Sequence, residues 1–577
     1  MDATLELTHE RVDDVPLLLA FLIQLRLPEV LDRHLPPHPL HQGLSNGWLI
    51  TVWIAYILSQ ADHRKSHVQE WVDGLHHTLE ALIGQTIRPV EFSDDRLTLV
   101  LNRLSDPDGW NELETDLWRT QCDVYALPPV ERVHLDATTS YGFHAIDDDG
   151  LMQLGHSKDH RPDLPQIKLM AAAVQPGGLF LAGDVHPGNA ADDPLYLPLY
   201  RRCRGLLNQT GLLYVGDCKM AAIETRAEMA ADGDFYLTRL PATGEVAAQF
   251  PAWVEAALTG DAVAKMVEIP GEEGLIARGY EFEREQTASV GETAHTWIER
   301  VQIIRSETAA ESQAAALERR LEQAEAAVRG LTPPPGPGRR QFTTGWELER
   351  AVTDVLVEHD VEGLLEVSWE RQETGRTKYK GRGRGGPNRP KTTEWEVRYQ
   401  ITTVRRVERA IRHRVERLGW QVLASNSPAE RLSLEQALRT YRGGWCAERL
   451  FHVFKDEPLG IRPFYVRRDD QILGLTHLVT LALRVLMLFE VLVRRGQEQS
   501  GEQLPGLYPG QAKRVTARPT AKRVLEAVAR ARITLTQVES GGEVHWHLTP
   551  LPKLVKRILG YLGLSEAVYT RLVMNSS

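Results

Sequence analysis

The chain has 577 residues, 42% of them hydrophobic and 25% charged, an ordinary globular composition that excludes fibrous, collagenous and wholly disordered classes and predicts about three to five domains. Four cysteines, Cys122, Cys203, Cys218 and Cys446, lie far apart with no C-x-x-C pair, which argues against a disulfide framework and a thiolate zinc site and fits a reducing cytosol. The net charge of -11 hides an asymmetry: residues 371–577 hold 37 Lys and Arg against 19 Asp and Glu, and the first 370 hold 30 against 59. A basic last third on an acidic protein points to a polyanion partner, because phosphate recognition needs local clusters of cations and not a basic whole.

The acidic start MDATLELTHERVDD lacks the basic opening and apolar core of an export signal. Residues 1–125 read as a helical module, with an apolar segment at 48–58 followed by the polar cluster DHRK at 62–65. From Val133 the texture changes to short apolar runs bounded by Gly, Pro and Asp: VHLD, IKLMAAAV, GLFLAGDV, GLLYVGD and DFYLTRL. The first three are close enough to be antiparallel neighbours, and the helical stretch KMAAIETRAEMAADG makes the last two a parallel βαβ pair. The pattern predicts an α/β fold with a mixed sheet over 126–245.

Beyond it come a strand-like region near 273–286, an Ala/Glu-rich helix from Glu307 and the break TPPPGPG. The Gly/Arg loop KYKGRGRGGPNRPK, the strand EWEVRYQITTV, the basic helix RVERAIRHRVERLG and the strand WQVLAS follow. The stretch 472–493 is about long enough to span a bilayer, but His477, Arg484 and Glu490 interrupt it, and a charged centre is costly in lipid. It reads as a buried helix with no membrane partner.

Asp136 closes the run VHLD and Asp217 closes LYVGD. A carboxylate at a strand's exit is a usual place for a site on an α/β sheet, although such an Asp is often only a turn or cap residue. In YRGGWCAERLFHVFK, a continuous helix would put Tyr441, Trp445, Glu448, His452 and Lys455 on one side. That mixture of aromatic, acidic and basic groups suits a groove for metal and phosphate better than a core. In the loop GHSKDHRPDLPQIK, Lys158 and Arg161 read as facing DNA in preference to a metal role for His156 and His160.

These residues resemble bacterial insertion-sequence DDE transposases of the branch marked by the helix signature Y-(2)-R-(3)-E-(6)-K, within the RNase H-like (retroviral integrase) superfamily. Tyr441, Glu448 and Lys455 match at the required spacings and Trp445 stands where that branch commonly has a Trp, whereas Gly444 occupies the Arg position. The loop after the first strands, the DVHPGN turn and the WIAYILSQADHRKSHVQEW stretch resemble the same family.

The resemblance implies an RNase H-like catalytic core at 126–245 and 396–495, interrupted by an insertion domain at 246–395 that helps shape the DNA end. It also implies a helical DNA-end-binding domain at 1–125 and a helical basic region at 496–577 for DNA binding or dimerisation. Asp136, Asp217 and Glu448 would be the catalytic triad and hold two Mg2+ or Mn2+ ions, with Asp136 bridging them; Tyr441, Arg442, Trp445, Lys455, Lys158 and Arg161 would contact DNA. Arg442 would compensate for Gly444, because glycine weakens a helix interior and the helix should start at or after Gly444. The implied partners are terminal inverted repeats and target DNA, bound by a homodimer in the cytoplasm at the nucleoid. A stand-alone metal-dependent nuclease and a catalytically silent DNA-binding descendant are the alternatives.

Overall fold

The computed structural model describes residues 6–574 except 39, 148, 261–264, 273, 337, 381–387, 389, 512 and 541–542. Most of the Gly/Arg loop therefore lies outside the described residues. The centre of the molecule is a nine-stranded mixed sheet. On one side Leu179–Pro187, Gln166–Gln175 and Arg132–Tyr141 are antiparallel neighbours. Arg132–Tyr141 then runs parallel to Leu213–Gly216, and that strand parallel to Phe235–Arg239, with the helix Ile223–Ala231 between the last two. The three antiparallel neighbours and the βαβ pair expected from sequence are both present.

The sheet continues through Trp420–Ser425, Thr293–Ser306, Gly274–Val290 and Val267–Gly271, each antiparallel to its neighbour. Three of these strands fall within 246–395, so part of the interval expected to be an insertion domain belongs to the central sheet. The rest of the interval carries the helices Glu307–Gly330 and Gly345–Glu358 and a separate ribbon, Leu365–Tyr379 paired with Lys391–Arg406. The boundary expected at 395 lies inside the second ribbon strand. That boundary came from the resemblance, and the two paired strands form one hydrogen-bonded unit that runs on to Arg406.

Period-two alternation divides the sheet's faces. Tyr214, Tyr236, Val422 and Ala424 enter the main core, while Leu213, Val215, Leu237 and Leu423 form a second core covered by Leu434, Ala437 and Leu438. The last three lie on the helix Leu434–Arg442, which opens on a capping box at Ser433 and Gln436.

The helix Asp469–Ser500 is the one described helix apolar and long enough to cross a membrane, yet 94% of its most apolar window is buried inside the protein. The three polar residues that interrupt its apolar stretch have partners there. His477 Nδ1 lies 2.6 Å from Leu104 O and its ring stacks on Trp110 at 3.9 Å. Arg484 Nη2 donates to Glu114 Oε1 at 3.1 Å and to Leu181 O at 2.8 Å, and Glu490 takes Arg449 and Arg494.

Both ends of the chain differ from the helical reading. Strand Glu6–Arg11 pairs with Thr534–Ser540, which pairs with Glu543–Leu548. Glu6–Arg11 and its partner lie more than 500 residues apart in sequence, and a lone short strand at the start of the chain has no local neighbour to announce its pairing.

Candidate active site

The parallel register that sets His134 opposite Val215 places Asp136, two residues on, level with Asp217, the first residue beyond its strand. The adjacency is also electrostatic. Burial raises the Asp136 carboxyl above its ordinary value, Lys158 and the Ala137 N–H oppose the rise, and the charge of Asp217 adds to it. Ala137 N donates to Asp136 Oδ1 at 2.7 Å, and Lys158 Nζ stands 3.5 Å from that oxygen while donating to Ala137 O at 2.5 Å. Asp217 Oδ1 accepts from Tyr196 OH at 2.7 Å and from Lys219 N at 2.9 Å.

Glu448 arrives from a different element. Gly443 and Gly444 separate the helix Leu434–Arg442 from the helix Trp445–Lys455, with Gly444 as the N-cap of the second. The five residues expected on one continuous helical side are thus divided, because two successive glycines break the helix between Tyr441 and Trp445. The second helix packs on the Asp136 strand and its antiparallel neighbour. Its exposed Glu448 lines a cleft of about 490 Å³ with Asp136, Lys158, Asp159, His452, Lys455 and Arg462.

The remaining sequence-predicted residues are placed unevenly. Burial pushes the Tyr441 hydroxyl up to about 12, and the fields of Asp217 and Asp136 reach it, so it stands near the aspartate pair from the second core's side. Lys455 Nζ donates to Asp159 Oδ1 at 2.6 Å. Arg442 Nη2 donates to Ser306 Oγ at 2.7 Å, at the end of the strand Thr293–Ser306, and Arg442 is not among the cleft's lining residues. Arg161 pairs with Asp163 at 2.8 Å and lies 5.4 Å from the Tyr141 ring, also outside the lining. Sequence reasoning missed Tyr196 and Arg462, which touch Asp217 and Asp159; neither lies in a motif, and only the folded chain brings them near.

Among the described residues, no three His, Cys, Asp or Glu side chains are gathered closely enough to hold a metal ion. The donor chemistry nonetheless fits a hard divalent cation. Two carboxylates stand level on adjacent strands, the charge of one raises the carboxyl of the other, and an ammonium already answers it.

A family model for the transposase DDE domain matches residues 132–485. The chain belongs to the DDE transposase family. The match opens at the start of the Asp136 strand and ends inside the helix Asp469–Ser500, so it takes in all three carboxylates. The transposase is an enzyme of metal-dependent phosphoryl transfer on DNA. A second family model, described as a domain of unknown function (DUF4277), matches residues 7–117. No curated protein matches the chain. Among solved structures the chain is similar to a piggyBac transposase in a synaptic complex with hairpin DNA, at 8% identity and a TM-score of 0.35, over 91% of this chain and 82% of that one.

Proposed function

We propose that this transposase belongs to the Y-(2)-R-(3)-E-(6)-K branch of bacterial insertion-sequence enzymes, binds the terminal inverted repeats of its element as a dimer, cuts them and joins them to target DNA. The observation that carries the reading is the register-level placement of Asp136 and Asp217 together with Glu448 lining the cleft beside Asp136. Asp136, Asp217 and Glu448 would hold two Mg2+ or Mn2+ ions, which supply Lewis acidity to the attacking and leaving oxygens of an in-line displacement.

The chain's own groups prepare that site. Tyr196 and the Lys219 N–H orient the Asp217 carboxylate through its Oδ1, as outer partners of a ligating group do. The Ala137 N–H fixes Asp136 in the same way. Lys158 adds a cation on the cleft wall for DNA phosphate. Outside the cleft, the exposed ribbon of the insertion would follow duplex DNA, since a two-stranded ribbon fits a groove.

Incubation with DNA carrying the element's inverted repeat and Mn2+ tests the proposal. Nicking at the 3' end of the repeat followed by joining to a target supports it. Cutting without regard to the repeat would indicate a nuclease, and binding without cutting a silent descendant.

A further inference from the structure

Lys158 is held at both ends. Its backbone N–H donates to Thr139 Oγ1 at 2.9 Å, its ammonium donates to Ala137 O at 2.5 Å, and that ammonium stands 3.5 Å from Asp136 Oδ1. The loop that carries it is tightened locally, because Ser157 Oγ accepts from the N–H groups of Asp159 at 3.3 Å and Arg161 at 3.1 Å. Asp159, the next residue, has different partners. Its side chain is 1% exposed, and its Oδ1 receives both Lys455 Nζ and Arg462 Nη1 at 2.6 Å. Arg462 spans onward to Asp456.

We propose that Lys158 is the built-in counter-cation of Asp136, answering its charge until a divalent ion takes that place, and that Lys455 is a positioning residue that sets Lys158 there through Asp159. The proposal rests on the reading of Asp136 as a metal-holding carboxylate. It departs from the phosphate role that the helix signature implies for Lys455.

The buried Asp159 carboxylate decides the second point. If Lys455 turned to a phosphate, a fully buried anion would lose one of its two cationic partners, and breaking one side of a buried ion pair is among the most destabilising changes available. A phosphate contact in an open cleft returns less. Lys158 has the opposite balance. Its side chain is 30% exposed, and a divalent ion on Asp136 would repel its ammonium toward the next anion in the cleft, a DNA phosphate. Metal and DNA then bind with positive coupling.

Mn2+ titration of the DNA-free, full-length protein by calorimetry tests the first role. Lys158→Met is expected to raise Mn2+ affinity at least threefold, and Asp136→Asn to abolish tight binding with or without Lys158→Met. Unchanged affinity in Asp136→Asn would remove Asp136 as a ligand and with it the reading beneath. Loss in Asp136→Asn with no gain in Lys158→Met would overturn the counter-cation alone.

The second role is read in two ways. Without DNA, Lys455→Met should shift Mn2+ affinity toward the Lys158→Met value, which loss of a phosphate contact would not do. With end DNA and Ca2+, Lys455→Met should leave the slope of log affinity against log salt unchanged, and Lys158→Met should lower it by about 0.9, the share of one phosphate. A fall of about 0.9 in Lys455→Met would overturn the positioning role. Lys455→Gln keeps a donor for Asp159 and serves for both measurements if Lys455→Met does not fold.

Discussion

Asp136 works against the fold that holds it. Burial and the neighbouring Asp217 both disfavour its charged form, so ionising it costs the free protein stability. Asp136→Asn, Asp217→Asn and Glu448→Gln are each expected to abolish cleavage, since loss of one ligand charge weakens metal capture by several kcal/mol, while end binding stays within a few-fold of wild type. Asp136→Asn should in addition melt at or above the wild-type temperature. Cleavage assays in excess Mg2+ beside melting curves check both expectations, and substantial cutting by any of the three removes that residue from the triad.

At the scale of elements, the long helix Asp469–Ser500 and the N-terminal helix Val15–Gln24 show how charged groups are tolerated inside. Arg484 and Glu114 are 2% and 1% exposed and bond to each other, and Arg202 also reaches Glu114. Arg484→Met should cost about 3 to 5 kcal/mol, the range for stripping one partner from a buried pair. Adding Glu114→Gln should recover part of that loss, and denaturant melts of the two variants decide it. Asp14, at the start of Val15–Gln24, is buried against Ser59 Oγ at 2.7 Å, and burial pushes its carboxyl up to about 7. The folded state therefore holds a proton that the unfolded state has released above about pH 4. Stability falls as pH rises from there through about 7, by an amount on the order of 4 kcal/mol from this group. Asp14→Asn should flatten that decline, gaining stability at pH 8 and little at pH 4.

The same elements mark what sequence could and could not yield. Strands on one side of the sheet were legible because their residues are buried almost throughout, which leaves apolar runs such as LMAAAV and LFLA. The helix restart at Trp445 was legible from two adjacent glycines. The pairing of Glu6–Arg11 with Thr534–Ser540 was not, because nothing local records a partner that distant. Nor was the turn of Lys455 toward Asp159, since helical spacing sets the side of a helix a residue occupies and not the anion waiting there.

At the scale of the whole molecule, the basic last third is not one surface. Many of its cations are already used: Arg484, Arg449 and Arg494 on buried acids, Lys455 and Arg462 on Asp159. The charge left for DNA lies on exposed features, and the ribbon Leu365–Tyr379 with Lys391–Arg406 is the most extended of these. Only Leu365 of its first strand is buried, and Trp395 stands 65% exposed opposite Gly375, with its ring covering the space a side chain there would fill. Its ion pairs are weak competitors for phosphate. Lys378–Glu394 at 2.9 Å and Arg376–Glu396 at 3.7 Å are more than half exposed on both sides, and such pairs contribute about 0 to 1 kcal/mol each. Giving them up to DNA costs little, and counterion release rewards the exchange. Replacing Arg376, Lys378 and Lys391 together by Gln should therefore lower the salt slope of end binding by up to about 2.7, three times the share of one phosphate. The melting temperature should barely move, because these are surface changes. Measured on the full chain, which keeps the sheet intact, an unchanged slope would show that the ribbon's charges face only solvent and that DNA is gripped elsewhere.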